Sequence, residues 1–91
     1  MNKKKYVVNS VVSFRDEGEE GAVLYNPDTD KCVIINSVGS IIWRYLESPK
    51  SYDEIVSMVV DSFSGVDTAK AKEDLERFIF NLGEDFIDET S

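Results

Sequence analysis

The 91-residue chain contains no histidine, one cysteine and two prolines. It also has no apolar run near the roughly 20 residues that a bilayer-spanning helix needs. Each shortage excludes something. Without histidine, the commonest general base and the commonest nitrogen ligand for a metal are missing. Cys32 cannot close an internal disulfide, in keeping with a reducing compartment. Inside an apolar stretch, and with no imidazole in the chain, it reads as a small buried hydrophobe and not as a nucleophile. The glycines, at 18, 21, 39, 65 and 83, are scattered at chain reversals and helix edges and match no phosphate-binding loop. Asp28 and Asp30 have the spacing of two calcium-loop ligands, but the remaining ligands are absent, so the pair reads as a turn. The other carboxylates lie in charge runs that mark solvated faces instead of an acid and base pair. The residues point away from an enzyme that acts alone, and no metal or cofactor is expected. The opening Met-Asn-Lys-Lys-Lys leads into a strand-like segment and not a signal-peptide core, which predicts a cytoplasmic protein with no membrane partner.

Positive charge is scarce as well, with 10 Lys and Arg against 18 Asp and Glu, a net of −8. Lys3, Lys4 and Lys5 are three of those ten, so the rest of the chain sets seven bases against all eighteen acids. A body that acidic repels phosphate and attracts basic or neutral partners. Solubility alone is the plainer use of the same charge.

What is present is material for one modest core: 42% hydrophobic residues, among them five Phe, four Tyr and one Trp. The organising stretch is 31–47. Cys32, Val33, Ile34 and Ile35 form a short, mostly β-branched run that favours a strand. Val38, Ile41, Ile42, Tyr45 and Leu46 then fall at the spacing of one helix face. Asn36 or Ser37 supplies the capping oxygen between the two. Gly39 permits close approach in the first helical turn, and Trp43 widens the buried stripe.

Upstream, alternation over 6–15 predicts one strand, with Tyr6, Val8, Val12 and Phe14 on one face and Val7, Asn9, Val11 and Ser13 on the other. A charged turn over 16–21 follows. A second strand is expected at 22–26 and a third at 32–36, joined by an Asn-Pro-Asp turn whose side chains can bond their own backbone. Short turns imply an antiparallel meander in chain order, with the first and third strands at its edges. The third is the less defended. It has no charge, proline or glycine between Cys32 and Asn36, so something is expected to cover it: a helix, a fourth strand from the C-terminus, or another chain.

Downstream of the first helix, predicted over 37–47, Ser51 and Glu54 stand at capping-box spacing and open a second over 51–64 with the stripe Tyr52, Ile55, Val56, Val59 and Phe63. Asp67 caps a third over 67–82, stapled by Val66 and Ala71 and buried along Ala71, Leu75, Phe78, Ile79 and Leu82, with Gly83 as its stop. Phe80 falls off this stripe and is either packed on another element, the favoured reading, or an exposed aromatic. Phe86 and Ile87 either add a short last strand or anchor the end. The predicted fold is α+β: a three-stranded antiparallel sheet followed by a three-helix, winged-helix-turn-helix-like body in a single domain over 1–91.

The run Leu24-Tyr25-Asn26-Pro27 to Ile35-Asn36-Ser37-Val38-Gly39, followed by Ile42-Trp43-Arg44-Tyr45-Leu46, Ser51-Tyr52-Asp53-Glu54-Ile55, Val66-Asp67, and Asp74-Leu75 to Phe78-Ile79 and Leu82, resembles the PqqD family over about residues 14–87. These are small peptide chaperones whose fold is also the recognition element for ribosomally made, post-translationally modified peptides. The chain departs from the family at its end, where Phe86-Ile87-Asp88 stands in place of a glycine and two aliphatic residues. The resemblance implies that the leader of a precursor peptide is held as an extra strand along the third strand, against the third helix. Carried over residue by residue, the backbone of Cys32, Val33, Ile34, Ile35 and Asn36 would pair with the leader, and Asp74, Arg77, Phe78 and Asn81 would supply pockets and charge. Main-chain bonds would give affinity and side-chain pockets selectivity. The acidic body would favour a leader carrying Lys or Arg. Catalysis would belong to a partner in natural-product biosynthesis, a radical enzyme using S-adenosylmethionine or the leader peptidase of a lasso-peptide pathway, with the chaperone a monomer or weak dimer.

Two other functions fit the same elements. A winged-helix body suggests a DNA-binding regulator, but the third helix sets Lys70, Lys72 and Arg77 against Asp67, Glu73, Asp74 and Glu76, so no nucleic-acid partner is expected. An undefended third strand would also suit a self-associating structural subunit.

Overall fold

A computed structural model describes residues 4–90 of the chain. The fold is α+β, with three helices and two three-stranded antiparallel sheets. One sheet has the order β2 (Ser13–Asp16), β3 (Ala22–Asn26), β4 (Lys31–Ile35). The other places β1 (Lys5–Val8) between β5 (Lys50–Ser51) and β6 (Ile87–Thr90).

The single strand expected over 6–15 is therefore two strands in different sheets. Asn9 makes the break. Its side-chain oxygen accepts from the Val11 amide at 3.2 Å and its backbone carbonyl accepts from Val12 at 3.1 Å, closing a local turn. Its amide side chain and backbone N–H also donate to the Asp85 and Phe86 carbonyls. That tie to the C-terminal segment takes Tyr6 and Val8 into the β6 sheet, with Tyr6 opposite Glu89 and Val8 opposite Ile87.

The helices begin where their caps dictate. Asn36 accepts from the Gly39 amide and starts α1 (Ser37–Tyr45). At α2 (Tyr52–Ser62) both halves of the capping box form, the Ser51 hydroxyl accepting from the Glu54 amide and the Glu54 carboxylate accepting from the Ser51 amide. Asp67 accepts from Lys70 and starts α3 (Thr68–Leu82), which ends at Gly83 with a positive φ of 65°. No helix among the described residues is long and apolar enough to cross a membrane.

One core joins these parts. Leu24 of β3, Ile35 of β4, Ile42, Trp43 and Leu46, Ile55 and Val59 of α2, and Ala71, Leu75, Phe78 and Leu82 of α3 are all buried. Phe86 and Ile87 close it from below, so the departure from the family pattern at this point is a core position and Ile87 opens a last strand. Two burial expectations are overturned. Cys32 is exposed, because it points to the face of the β2–β4 sheet opposite the helices, as Ile34 does at 76% exposure. Phe80 packs on nothing and is 86% exposed, since it lies across α3 from the buried Phe78 and Leu82.

Candidate functional site at an open strand edge

Among the described residues β4 pairs with β3 alone, from Ala22 opposite Ile35 to Asn26 opposite Lys31. The C-terminal strand lies beside β1 in the other sheet and leaves this edge uncovered. Gly21 shows which β4 groups face inward. A Cβ built there collides with the Ile35 carbonyl oxygen, so that oxygen points toward β3. In an antiparallel pair, residues alternate between bonding the neighbour and facing away. Lys31, Val33 and Ile35 therefore use their backbone groups on β3, and Cys32 and Ile34 turn theirs to the free side.

Beside the edge runs a groove of about 680 Å³ between β4 and α3. Val33, Ile34, Ile35 and Asn36 form its strand wall, and Asp74, Arg77, Phe78 and Asn81 lie along its helix wall. Eight of the nine residues expected at a site are thus brought together; Cys32 is on the open edge but does not line the groove. The sequence reading missed Val38, Gly39 and Ile42 at the groove's α1 end and Lys70 and Leu82 on α3. Their signals were there to read. Helix α1 starts one residue after Asn36, so its first turn must sit at the end of the strand. Lys70 precedes Asp74 by four residues and Arg77 by seven, which puts it on the same stripe.

Gly39 sets how closely the walls approach. A Cβ there would lie 3.1 Å from the Ile35 Cβ and 3.3 Å from the Phe78 Cε1, so even an alanine would need those side chains to give by a few tenths of an ångström. Helix α3 also runs back along β4. Asp85, just past its end, forms an ion pair with Lys31 at the start of the strand and accepts from the buried Asn26 side chain through its carbonyl.

Charge in the groove differs from charge on the body. Its charged lining is Lys70, Asp74 and Arg77, two cations and one carboxylate in a chain of net −8. Lys70 bonds Asp74 at 3.0 Å, and Arg77 bonds Glu73, outside the groove, at 2.9 Å. Both are exposed i,i+4 pairs, each worth about 0.3–0.5 kcal/mol, so an incoming charged chain can exchange with either partner at little cost. The leader rich in Lys or Arg expected from the overall charge finds only Asp74 as a counterion among these lining residues. No group of three or more His, Cys, Asp or Glu suited to a metal occurs among the described residues.

The arrangement can accept one extended chain, with main-chain bonds on one side and side-chain sockets on the other. No curated protein and no solved structure matches the chain. A family model does: Coenzyme PQQ synthesis protein D (PqqD) matches residues 21–85, from Gly21 ahead of β3 to Asp85 beyond α3. That span holds the open strand, both groove walls and all three helices, and the chain belongs to the PqqD family.

Proposed function

We propose that this chain captures the leader of a ribosomally synthesised precursor peptide as an added strand on β4 and presents the peptide to a separate modifying enzyme. Family membership supports the broader role, a peptide-binding accessory in the making of a peptide-derived product. The observation that carries the finer reading is the unpaired edge at Cys32 and Ile34, of which Ile34 lines the groove against α3. An incoming strand takes up the free N–H and C=O groups of these two residues. Its alternate side chains then enter the groove toward Ile35, Ile42, Phe78 and Leu82, where apolar burial adds about 25 cal/mol per Å². The enzyme that receives the peptide is a radical S-adenosylmethionine maturase or a leader peptidase. Either suits a chaperone that grips the leader and leaves the rest of the precursor free.

Ile34→Pro tests the reading. Proline removes the Ile34 N–H, which the fold does not use, and proline is tolerated at an edge position of this kind. Losing one main-chain bond, up to about 1.5 kcal/mol, weakens capture of a fluorescent leader by about tenfold, with the helical circular dichroism unchanged. The leader comes from a short reading frame encoded beside a maturase or peptidase. Equal affinity of the two proteins for it contradicts the proposal.

A further inference from the structure

On the solvent face of α3, opposite its buried stripe, Phe80 stands 86% exposed. Its helix neighbour four residues before is Glu76, and Glu84 follows just beyond the Gly83 stop. Next to it, Ile79 and Gly83 border a second cleft, of about 480 Å³, whose apolar lining is completed by Tyr6 and Ile87. Glu84, Asp88 and Glu89 also line this cleft. Among the described residues, Lys4 lies 3.5 Å from Glu89 with both side chains mostly exposed. A cleft part apolar and part acidic, with an exposed aromatic ring one residue along α3 from its Ile79 wall, has the composition of an interface centre with its polar rim. The charge selects the occupant, because acids around an apolar anchor point repel an acidic surface and attract a basic one.

We propose that this flank docks a protein partner whose contacting segment presents a leucine-sized aliphatic side chain between lysines or arginines. The aliphatic group enters the cleft against Ile79 and Ile87, Phe80 packs over the segment, and its basic residues pair with Glu84 and Asp88. The site is independent of the β4 edge, since the two lie on different faces of α3. Both can be filled at once, which would let a chaperone hold a peptide and its partner together.

The test is an amide chemical-shift titration of the full chain with a capped Gly-Arg-Leu-Leu-Arg-Gly peptide, with the Glu-flanked version as control. Expected are shifts at Ile79, Phe80, Glu84 and Asp88. Phe80→Ala, or Glu84→Gln with Asp88→Asn, weakens binding about tenfold, and Ile34→Pro leaves it unchanged. Raising salt from about 50 to about 500 mM weakens it further. Phe80 carries no packing, so its variant folds and a loss reads as lost contact. The proposal is overturned if the shifts fall on β4, if both peptides bind alike, if neither binds, or if the free protein dimerises through Phe80 so that the occupant is a second copy.

Discussion

Gly21 holds the corner where β3 begins opposite the end of β4. Its φ of 104° is open only to glycine, and a Cβ there would also come within 2.8 Å of the Asn36 Cα. Gly21→Ala should cost about 3 kcal/mol or more in urea unfolding, because backbone strain adds to a clash with main-chain atoms that cannot swing aside. Asn26 is a second such point. Its oxygen accepts from the Asp28 and Thr29 amides and its NH2 donates to the Asp85 carbonyl, at 2% exposure. Asn26→Asp keeps the acceptor but turns the donor into an oxygen facing a carbonyl, so thermal unfolding should report a loss of roughly 1–3 kcal/mol. Sequence shows half of that residue's work. An Asn before Pro-Asp bonds its own turn, whereas the bond to Asp85 spans 59 residues and exists only after folding. Cys32 failed differently: the run Cys-Val-Ile-Ile is apolar at every position, so nothing in it says that one side of the sheet is left bare.

At the scale of elements, the local chemistry of caps was the most legible feature. Asn36, Ser51 and Asp67 each cap as their types and spacing demand. Ser51→Ala should destabilise the protein by about 1 kcal/mol. The Glu54 carboxyl is held below its ordinary value of 4.5, chiefly by the hydrogen bond from the Ser51 backbone and next by the Ser51 side chain. A folded-state value below the unfolded one means stability that is present above about pH 4.5 and is lost as pH falls through the lowered value. Melting temperatures measured from pH 6 to about pH 3 should therefore drop less steeply for Glu54→Gln, whose amide keeps the acceptor without titrating. Strand 6–15 was illegible for the opposite reason. Alternation continues through Asn9 and Ser10, and only the distant partners of Asn9 divide it between two sheets. Helix α3 shows the limit of reading one stripe. Its buried face was clear and left Phe80 off the stripe, the groove positions Asp74, Arg77 and Asn81 needed the resemblance, and Lys70 was missed.

At the scale of the whole molecule, the outer edge of β4 has no partner among the described residues, while the last strand pairs elsewhere, with β1. An edge without charge or proline invites association with any extended chain, a copy of itself included. The charge of −8 opposes self-pairing at low salt, so sedimentation should find a monomer at micromolar concentration. The most direct test of the open edge is amide hydrogen exchange across β4, with and without the leader peptide. Cys32 and Ile34 should exchange fast in the free protein and slow by about tenfold or more when the leader binds, while Val33 and Ile35, already bonded to β3, change little. Protection at Cys32 and Ile34 before any peptide is added, or none after saturation, would contradict the account.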